Sequence, residues 1–277
     1  MNREKLRDVD IVIAVFDQLH YTQRCLETLY ATVPPDVNIF LIDNGSTDGT
    51  PAYLAKQTRI SVITNERNRG CAAAWNQGVK AGTSSWVVIV NNDIIFPQGW
   101  LEGLLGFAEG SEKDIVSPGV REGECNYDIS SYATGFMTSM ADVKREADAY
   151  GACFMVRRKV FDTIGYFDEG FNIGGGEDSD FFLRSKQSGF SLAITGSSFL
   201  HHFGCVTQNH IKVNVLGRSY GPEHRVYFRR KWRLSYGKRC ALRLKRKLTT
   251  CWRASREHSR CGHSLQEKWD GRRLRYC

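Results

Sequence analysis

Three groups of residues in this 277-residue chain combine side-chain types and spacing that could do chemistry. The stretch WVVIVNNDIIF, Trp86 to Phe96, runs five apolar residues straight into Asn91, Asn92 and Asp93. A carboxylate in that position offers hard oxygen to Mg2+ or Mn2+, held jointly by the protein and a phosphate-bearing ligand. Glu177 and Asp178 follow Gly174, Gly175 and Gly176, so the backbone can come close to a ligand and aim the acids from a helix start. His201 and His202 close a further apolar stretch, and either imidazole is a borderline ligand for manganese. Each group also has a plainer reading, as a turn, a helix cap or a hydrogen-bonded strand end.

The elements that must position these residues favour chemistry. VDIVIAVF is a short β-branched run and predicts a strand, after which YTQRCLETLYAT carries Leu26, Leu29 and Tyr30 at helical spacing. VNIFLIDNGS predicts a second strand, and Thr50 with Pro51 an N-cap and first-turn proline for the next helix. ISVITNERN and the small-residue stretch GCAAAWNQGVKAG then lead to the strand from Trp86. This alternation predicts an α/β fold with a parallel sheet covered by helices, in which ligands sit beyond the carboxyl ends of the strands. Polar residues collect at four such ends: Asp17, then Asp43 and Asn44, then Asn65 and Asn68, then Asn91 to Asp93. From about Ser117 to Ala149 the pattern loosens into a long polar connection that reads as a binding flap. EDSDFFLRSKQSG restores helical signals, with acids in its first turn and Gly189 just past its end.

Composition bounds the rest. With 42% hydrophobic residues the chain can bury a full core, one large α/β domain with a small appendage. No apolar run approaches the roughly 20 residues of a spanning helix, and MNREKLRDVD lacks the apolar centre of a secretory signal, so a cytoplasmic location is expected. Nine cysteines are scattered without a C-x-x-C pair, which fits reduced thiols better than a zinc site or a disulfide framework. Charge is lopsided. Arg225 to Cys277 holds 18 Lys and Arg against Glu257, Glu267 and Asp270, whereas the remainder holds 20 basic and 27 acidic residues.

The segments VIAVFDQLHYTQRCLETL, LIDNGSTDGT, NRGCAAAWNQG, VVIVNND, GYFDEGF, GGGEDSDF and HHFG, in this order, resemble family 2 of the inverting, nucleotide-sugar-dependent glycosyltransferases with the GT-A fold, particularly its rhamnosyltransferase-like members. The resemblance covers about Val9 to Thr207 and implies a GT-A domain over residues 8–210, with 211–277 as a basic, helical C-terminal extension. It implies that Asp93 binds a divalent metal, Mn2+ or Mg2+, at the position of the family's D-x-D motif, with Asn91 standing where a first acid is often found and Asn92 beside it. His202 matches the late histidine near metal and diphosphate. Phe16, Asp17 and Asp43 would border the nucleotide base, and Asn68, Gly70 and Asn76 the ribose and sugar. Asp178, or else Glu177, matches the general base that an acceptor hydroxyl needs. The donor implied is a UDP- or dTDP-sugar, and the acceptor a glycan or lipid-linked hydroxyl.

Other classes fit less well. A sugar nucleotidyltransferase should carry a glycine- and arginine-rich loop after its first strand, and AVFDQLHY has no glycine; a kinase or ATPase should carry a phosphate-binding G-x-x-x-x-G-K-[ST], which does not occur. The tail YFRRKWRLSYGKRCALRLKRKLTTCWRASREHSR would suit nucleic acid through its cations and aromatic rings. It would equally suit an anionic membrane, with Trp232, Leu234, Leu242, Leu244, Leu248 and Trp252 dipping in, and a peripheral membrane enzyme is the expectation preferred.

Overall fold

A computed structural model of the chain describes residues 3–215 and 221–276, and the side chains of these except at positions 3, 215, 221, 222, 238, 239, 242, 243 and 245–247. The first half alternates as its apolar spacing predicts: α1 (Arg3–Leu6), β1 (Val9–Val15), α2 (Leu19–Thr32), β2 (Asn38–Asp43), α3 (Thr50–Leu54), β3 (Ser61–Thr64), α4 (Cys71–Ala81) and β4 (Trp86–Asn91). β3, β2, β1 and β4 lie side by side in parallel, with Val12 opposite Phe40 of β2 and Ile89 of β4. Val87 to Val90 are fully buried because successive side chains enter different cores. Val88 and Val90 pack with Leu26, Leu29 and Leu104 on one face, and Val87 and Ile89 with Trp75, Phe154 and Phe181 on the other. A strand covered on both faces explains its unbroken β-branched run.

Beyond β4 the sheet becomes mixed. β5 (Ile94–Ile95), α5 (Trp100–Gly110), β6 (Ile115–Glu122), α6 (Ile129–Met140), β7 (Lys144–Glu146), β8 (Cys153–Arg157), α7 (Arg158–Ile164), a single 3-10 turn (Glu169–Phe171), α8 (Glu177–Gln187) and β9 (Leu192–His202) follow. β8 runs antiparallel beside β4 and joins it to β6, while β9 runs parallel to β6 and antiparallel to β5 and β7. The polar stretch from Ser117 to Ala149 is therefore no loose flap. α6 is rich in Ser and Thr, which hides it from helix propensity. It is capped by the Asp128 carboxylate, which accepts from the Ser131 N–H at 2.7 Å, and it buries Ala133, Phe136 and Met140 against Ile194, Phe199 and Leu265.

The basic tail is helical and then returns to the sheet. α9 (Val206–His210) continues into a π-helical turn (Ile211–Val215), followed by α10 (Gly221–Lys231), α11 (Tyr236–Cys261), β10 (Gln266–Trp269) and β11 (Leu274–Arg275). β10 pairs in parallel with β6, Gln266 opposite Val120 and Lys268 opposite Glu122. A division at residue 210 into a sugar-transfer domain and a helical extension thus cuts through one sheet. The reason lies in the tail's few acids. Glu257 holds the buried Arg145 guanidinium at both ends, 2.7 and 2.6 Å, and Glu267, buried, accepts from the Tyr132 hydroxyl of α6 and, at 3.1 Å, from the Ser264 N–H.

The Arg145–Glu257 pair is almost dry, so breaking it leaves a cation buried without its counter-charge. Glu257→Ala should lower unfolding free energy by about 3 kcal/mol in urea titration. Glu109→Ala, which removes the exposed partner of Lys5, should cost under about 1 kcal/mol. Equal effects would show that the tail is not integral to the fold.

Candidate active site

The candidate site lies where β1, β2, β3, β4 and β9 end. Asn92 turns back to α2, donating to the Thr22 hydroxyl at 3.0 Å, and accepts from the Thr207 hydroxyl of α9 at 3.2 Å. This grip on two helices ends β4 and leaves Asp93 facing the end of β9. There His202 Nε2 lies 3.2 Å from Asp93 Oδ1, and the neighbouring His201 points to the opposite side, 2.9 Å from the Tyr127 hydroxyl. Adjacent residues on a strand face opposite ways, so only His202 can act with Asp93. Burial pushes the Asp93 carboxyl up, but the facing His202 and hydrogen bonds outweigh this and hold it below the usual carboxylate range. His202 is pulled down by burial and raised further by Asp93 and Glu122, ending above its ordinary value, whereas burial drives His201 down to about 3.

The Asp93–His202 pair fits a divalent cation. His202 Nε2 is buried and meets only the Asp93 carboxylate oxygen at 3.2 Å, without a well-aligned hydrogen bond, so the two present nitrogen and oxygen of the kind a divalent metal binds. Among the described residues no group of three or more His, Cys, Asp and Glu could hold an ion alone, so the remaining ligands would come from elsewhere, as a diphosphate would supply. The far ring nitrogen, Nδ1, is held 2.8 Å from the Tyr150 hydroxyl, which donates to Glu122 at 3.1 Å, and Lys268 of β10 pairs with Glu122 at 2.6 Å. Such outer partners fix the ring orientation of a ligating histidine. Neither Tyr150, Glu122 nor Lys268 sits in a motif, and only the polar register of β6 with β10 could have pointed to them.

The strand ends on the other side form one polar lattice. Asn44 donates to Asn68 Oδ1 at 2.9 Å and to the Gly70 carbonyl at 3.2 Å, and accepts from Asn65 and from the Arg69 N–H, both at 3.0 Å. Gly70 has φ +88°, and a Cβ there would stand 1.5 Å from the Asn172 carbonyl oxygen, so the loop before the triglycine run can lie directly on the start of α4. Asp43 accepts from the Ser46 N–H at 3.0 Å. Asp17 accepts from the Thr47 N–H at 2.6 Å and holds His210 of α9 at 2.8 Å. Phe16 packs with Ile211 and Ile173, under the same segment. Residues 206–215 therefore reach Asn92, Asp93, Asp17 and Phe16 together, and His210 belongs to the site although no motif marks it.

Asn76 does not join this group. Its amide donates to the Phe167 carbonyl at 3.0 Å and to Glu169 at 2.9 Å and accepts from the Phe167 N–H at 2.9 Å, all within a buried environment. It fixes the GYFDEGF loop and has no group left for a sugar.

The two acids of α8 differ sharply. Gly174, Gly175 and Gly176 have φ of +140°, +102° and +107°, a path only glycine follows readily. It tucks Glu177 inward onto the Gly175 N–H, buried, where desolvation and then the charge of Asp178 raise its carboxyl to about 7. Asp178 is half-buried, its Oδ1 accepting from the Ser179 N–H at 2.6 Å and its Oδ2 close enough to Gly151 that a Cβ would meet it at 1.9 Å. Consecutive residues thus tie both halves of the site: Tyr150 holds His202 and Gly151 lies beside Asp178.

Comparison with known proteins identifies the family and the fold. The family model described as glycosyl transferase family 2 matches residues 10–165, and that described as N-terminal domain of galactosyltransferase matches 134–204. The chain is 24% identical to the N-acetylglucosaminyl-diphospho-decaprenol L-rhamnosyltransferase of Mycobacterium tuberculosis, over 71% of this chain and 77% of that one. It is 26% identical to human polypeptide N-acetylgalactosaminyltransferase 18, over 72% of this chain and 38% of that one, and 25% identical to glycosyltransferase GlyG of Streptococcus pneumoniae over 39% and 37%. The chain thus spans under two-fifths of the length of these last two. Two solved structures share the fold: GalNAc-T7 with UDP, GalNAc and Mn2+, at TM-score 0.56 and 16% identity over 70% of this chain and 43% of that one, and a mannosyltransferase of Pyrobaculum calidifontis with GDP-Man and Mn2+, at 0.55 and 17% over 70% and 56%. These likenesses favour neither the nucleic-acid reading nor the nucleotidyltransferase reading.

Glu177 yields a pH prediction. Its folded value, about 7, lies above the ordinary 4.5, so the folded state holds the proton more tightly and this residue's contribution to stability is lost as pH rises from about 4.5 through 7. Glu177→Gln, which keeps an acceptor for the Gly175 N–H, should gain stability over wild type at pH 8 and lose that advantage at pH 4.5. Thermal melts at the two pH values check this, and a constant difference would place the charge elsewhere.

Proposed function

The chain belongs to glycosyl transferase family 2, and from that premise we propose that it moves a sugar from a nucleoside diphosphate donor to a hydroxyl of a glycan or lipid-linked acceptor, with inversion at the anomeric carbon. The observation that carries this reading is the joint at Tyr150 and Gly151, which links a metal-fitting pair, Asp93 and His202, to a half-buried carboxylate, Asp178.

Asp43 lies at the end of β2, where its carboxylate can accept from the imide N–H that uracil and thymine both carry, so a UDP- or dTDP-sugar is the proposed donor. The mycobacterial relative is named for a diphospho-decaprenol substrate and the two solved neighbours hold UDP or GDP-Man, which supports the class. A divalent cation, Mn2+ or Mg2+, bound between Asp93 and His202 would neutralise the negative charge that collects on the departing diphosphate. Asp178 accepts the acceptor's hydroxyl proton as that oxygen bonds to the anomeric carbon. The bond from that carbon to the diphosphate breaks on the opposite face and its electron pair leaves with the diphosphate, which inverts the centre. Glu177, buried on Gly175, supports the loop that presents Asp178. The 206–215 segment, held by His210 on Asp17, would exclude water from the donor.

Asp93→Ala should therefore abolish the metal-dependent thermal shift that UDP produces. Asp178→Asn should leave that shift intact and cut transfer by about 10² or more. Near-normal transfer by Asp178→Asn removes it as the base, and no shift with UDP, dTDP or GDP removes the donor reading.

An anionic membrane surface is the proposed neighbour of α11. Leu244, Leu248 and Trp252, spaced four apart and each about three-fifths exposed, form an apolar ridge on a helix dense in Lys and Arg. All three acids of the tail are engaged within the protein, Glu257 by Arg145, Glu267 by Tyr132 and Asp270 by Arg275, so they do little to offset the outward cations. Trp232 is not part of this ridge, because its indole donates to the buried Asp180 at 3.0 Å, and Leu234 is half-buried; the Leu242 side chain lies outside the described residues. No helix of the described residues is long and apolar enough to span a bilayer. Leu248→Glu with Trp252→Glu should abolish co-sedimentation with phosphatidylglycerol vesicles while the UDP shift persists. Unchanged sedimentation, or tight binding to RNA instead, overturns the assignment.

A further inference from the structure

A cavity of about 420 Å³ lies between residues 170–173 and α10, walled by Phe171, Ile173, His224, Val226, Tyr227 and Arg230. We propose that this cavity is the acceptor site of the transfer reaction, and that it selects a saccharide bearing phosphate, which Arg230 meets. The inference rests on the transfer reading above and adds to it the place and charge of the acceptor.

Position is the first argument. The cavity wall continues directly into the base-bearing loop: Asn172 lies against Gly70, the Ile173 carbonyl accepts from the Cys71 N–H at 3.3 Å, and His224 stands where a Cβ on Gly175 would meet its ring at 2.6 Å. Two residues after Gly176 comes Asp178. The cavity therefore adjoins the triglycine loop that leads into Asp178, and a hydroxyl held in it is offered beside the loop of the base.

Rigidity is the second. α10 is pinned to the loop by Lys231, which pairs with Asp168 at 2.6 Å and Asp180 at 2.8 Å, and by the Tyr227 hydroxyl, which donates to Asp168 at 3.0 Å. Asp180 is wholly buried and also takes Arg184 and Trp232. The wall is thus a fixed surface rather than a passing contact of a solvated tail; its α10 side stands outside both stretches that match family models, whereas Phe171 and Ile173 lie within the second.

Chemistry is the third. The rings of Phe171 and Tyr227 meet edge to face with centroids 4.9 Å apart, and with Val226 and Ile173 they form an apolar wall against which the C–H face of a pyranose can pack. Glu223 and His224 already interact within the protein, whereas Arg230 is exposed and, among the described residues, makes no ion pair. Arg225, Arg229 and Lys231 share its helix. A planar guanidinium at the rim of an aromatic cavity, on a cationic helix, suits a phosphate joined to a sugar.

Hexose 1-phosphate, neutral hexose, and the same sugar phosphate esterified to a long-chain alcohol in detergent micelles are the probes, titrated by ligand-observed NMR onto the full chain with UDP and Mn2+ saturating the donor site. Hexose 1-phosphate should bind at least about tenfold more tightly than hexose, and Arg230→Glu should erase the difference. Val226→Trp, which fills the cavity, should remove binding of both. Neither variant should change the UDP thermal shift. Tighter binding of the micellar ester than of the free sugar phosphate assigns a lipid-linked source, and equal binding a soluble one. Equal affinity for charged and neutral sugar, or no response to Arg230→Glu, overturns the proposal. If no nucleotide binds, the donor reading fails by itself, and the same comparison on the nucleotide-free protein still decides whether Arg230 and the cavity take a sugar phosphate.

Discussion

A strand with no wet face can carry polar side chains only where it leaves the sheet, and β4 is such a strand. Its residues from Val87 to Val90 sit fully buried between two cores. The polar work of the molecule is thereby driven to one edge, where desolvation by the same cores strengthens each interaction that remains. Asn92 and Asp93 stand at the first position that dryness permits, and neighbouring strands set Asp17, Asp43 and Asn44 alongside. The site is the boundary condition of the core rather than an addition to it.

What could be read from the residue string follows from this. Period and punctuation are local, and they exposed β1 to β4, their order and the polar strand ends, because burial on both faces leaves an unbroken apolar run. The helix starting at Glu177 was legible for the same reason, its glycines and acids lying next to each other. Long-range pairing was not. α6 hides behind Ser and Thr, and its only local sign is the Asp128 cap. Asn76 falls within a motif at the expected spacing, yet the Phe167 backbone captures it, since an amide with both its donor and its acceptor matched by a peptide unit is held more firmly than one left to a ligand. His210, Tyr150 and Glu122 act through partners more than 25 residues away, and no pattern within a window reveals them.

The basic tail shows how net charge can mislead. Its excess of cations suggests a solvated appendage, but the few acids decide its course. Glu257 and Glu267 are drawn inside by Arg145 and Tyr132, and Lys231 is drawn onto Asp168 and Asp180. These four contacts help to organise the tail into a wall, a ridge and a strand.

The pairing of β10 with β6 has a consequence for the order in which the molecule is made. Lys268, which pairs with Glu122 behind the Tyr150–His202 pair, leaves the ribosome after every motif of the site. A nascent chain that has emerged as far as α8 and β9 already possesses all the recognisable motifs, but the carboxylate behind its histidine lacks the cation that balances it and the edge of β6 lacks its neighbour. Completion of the site in this way waits for β10, by which time the ridge of α11 has also emerged.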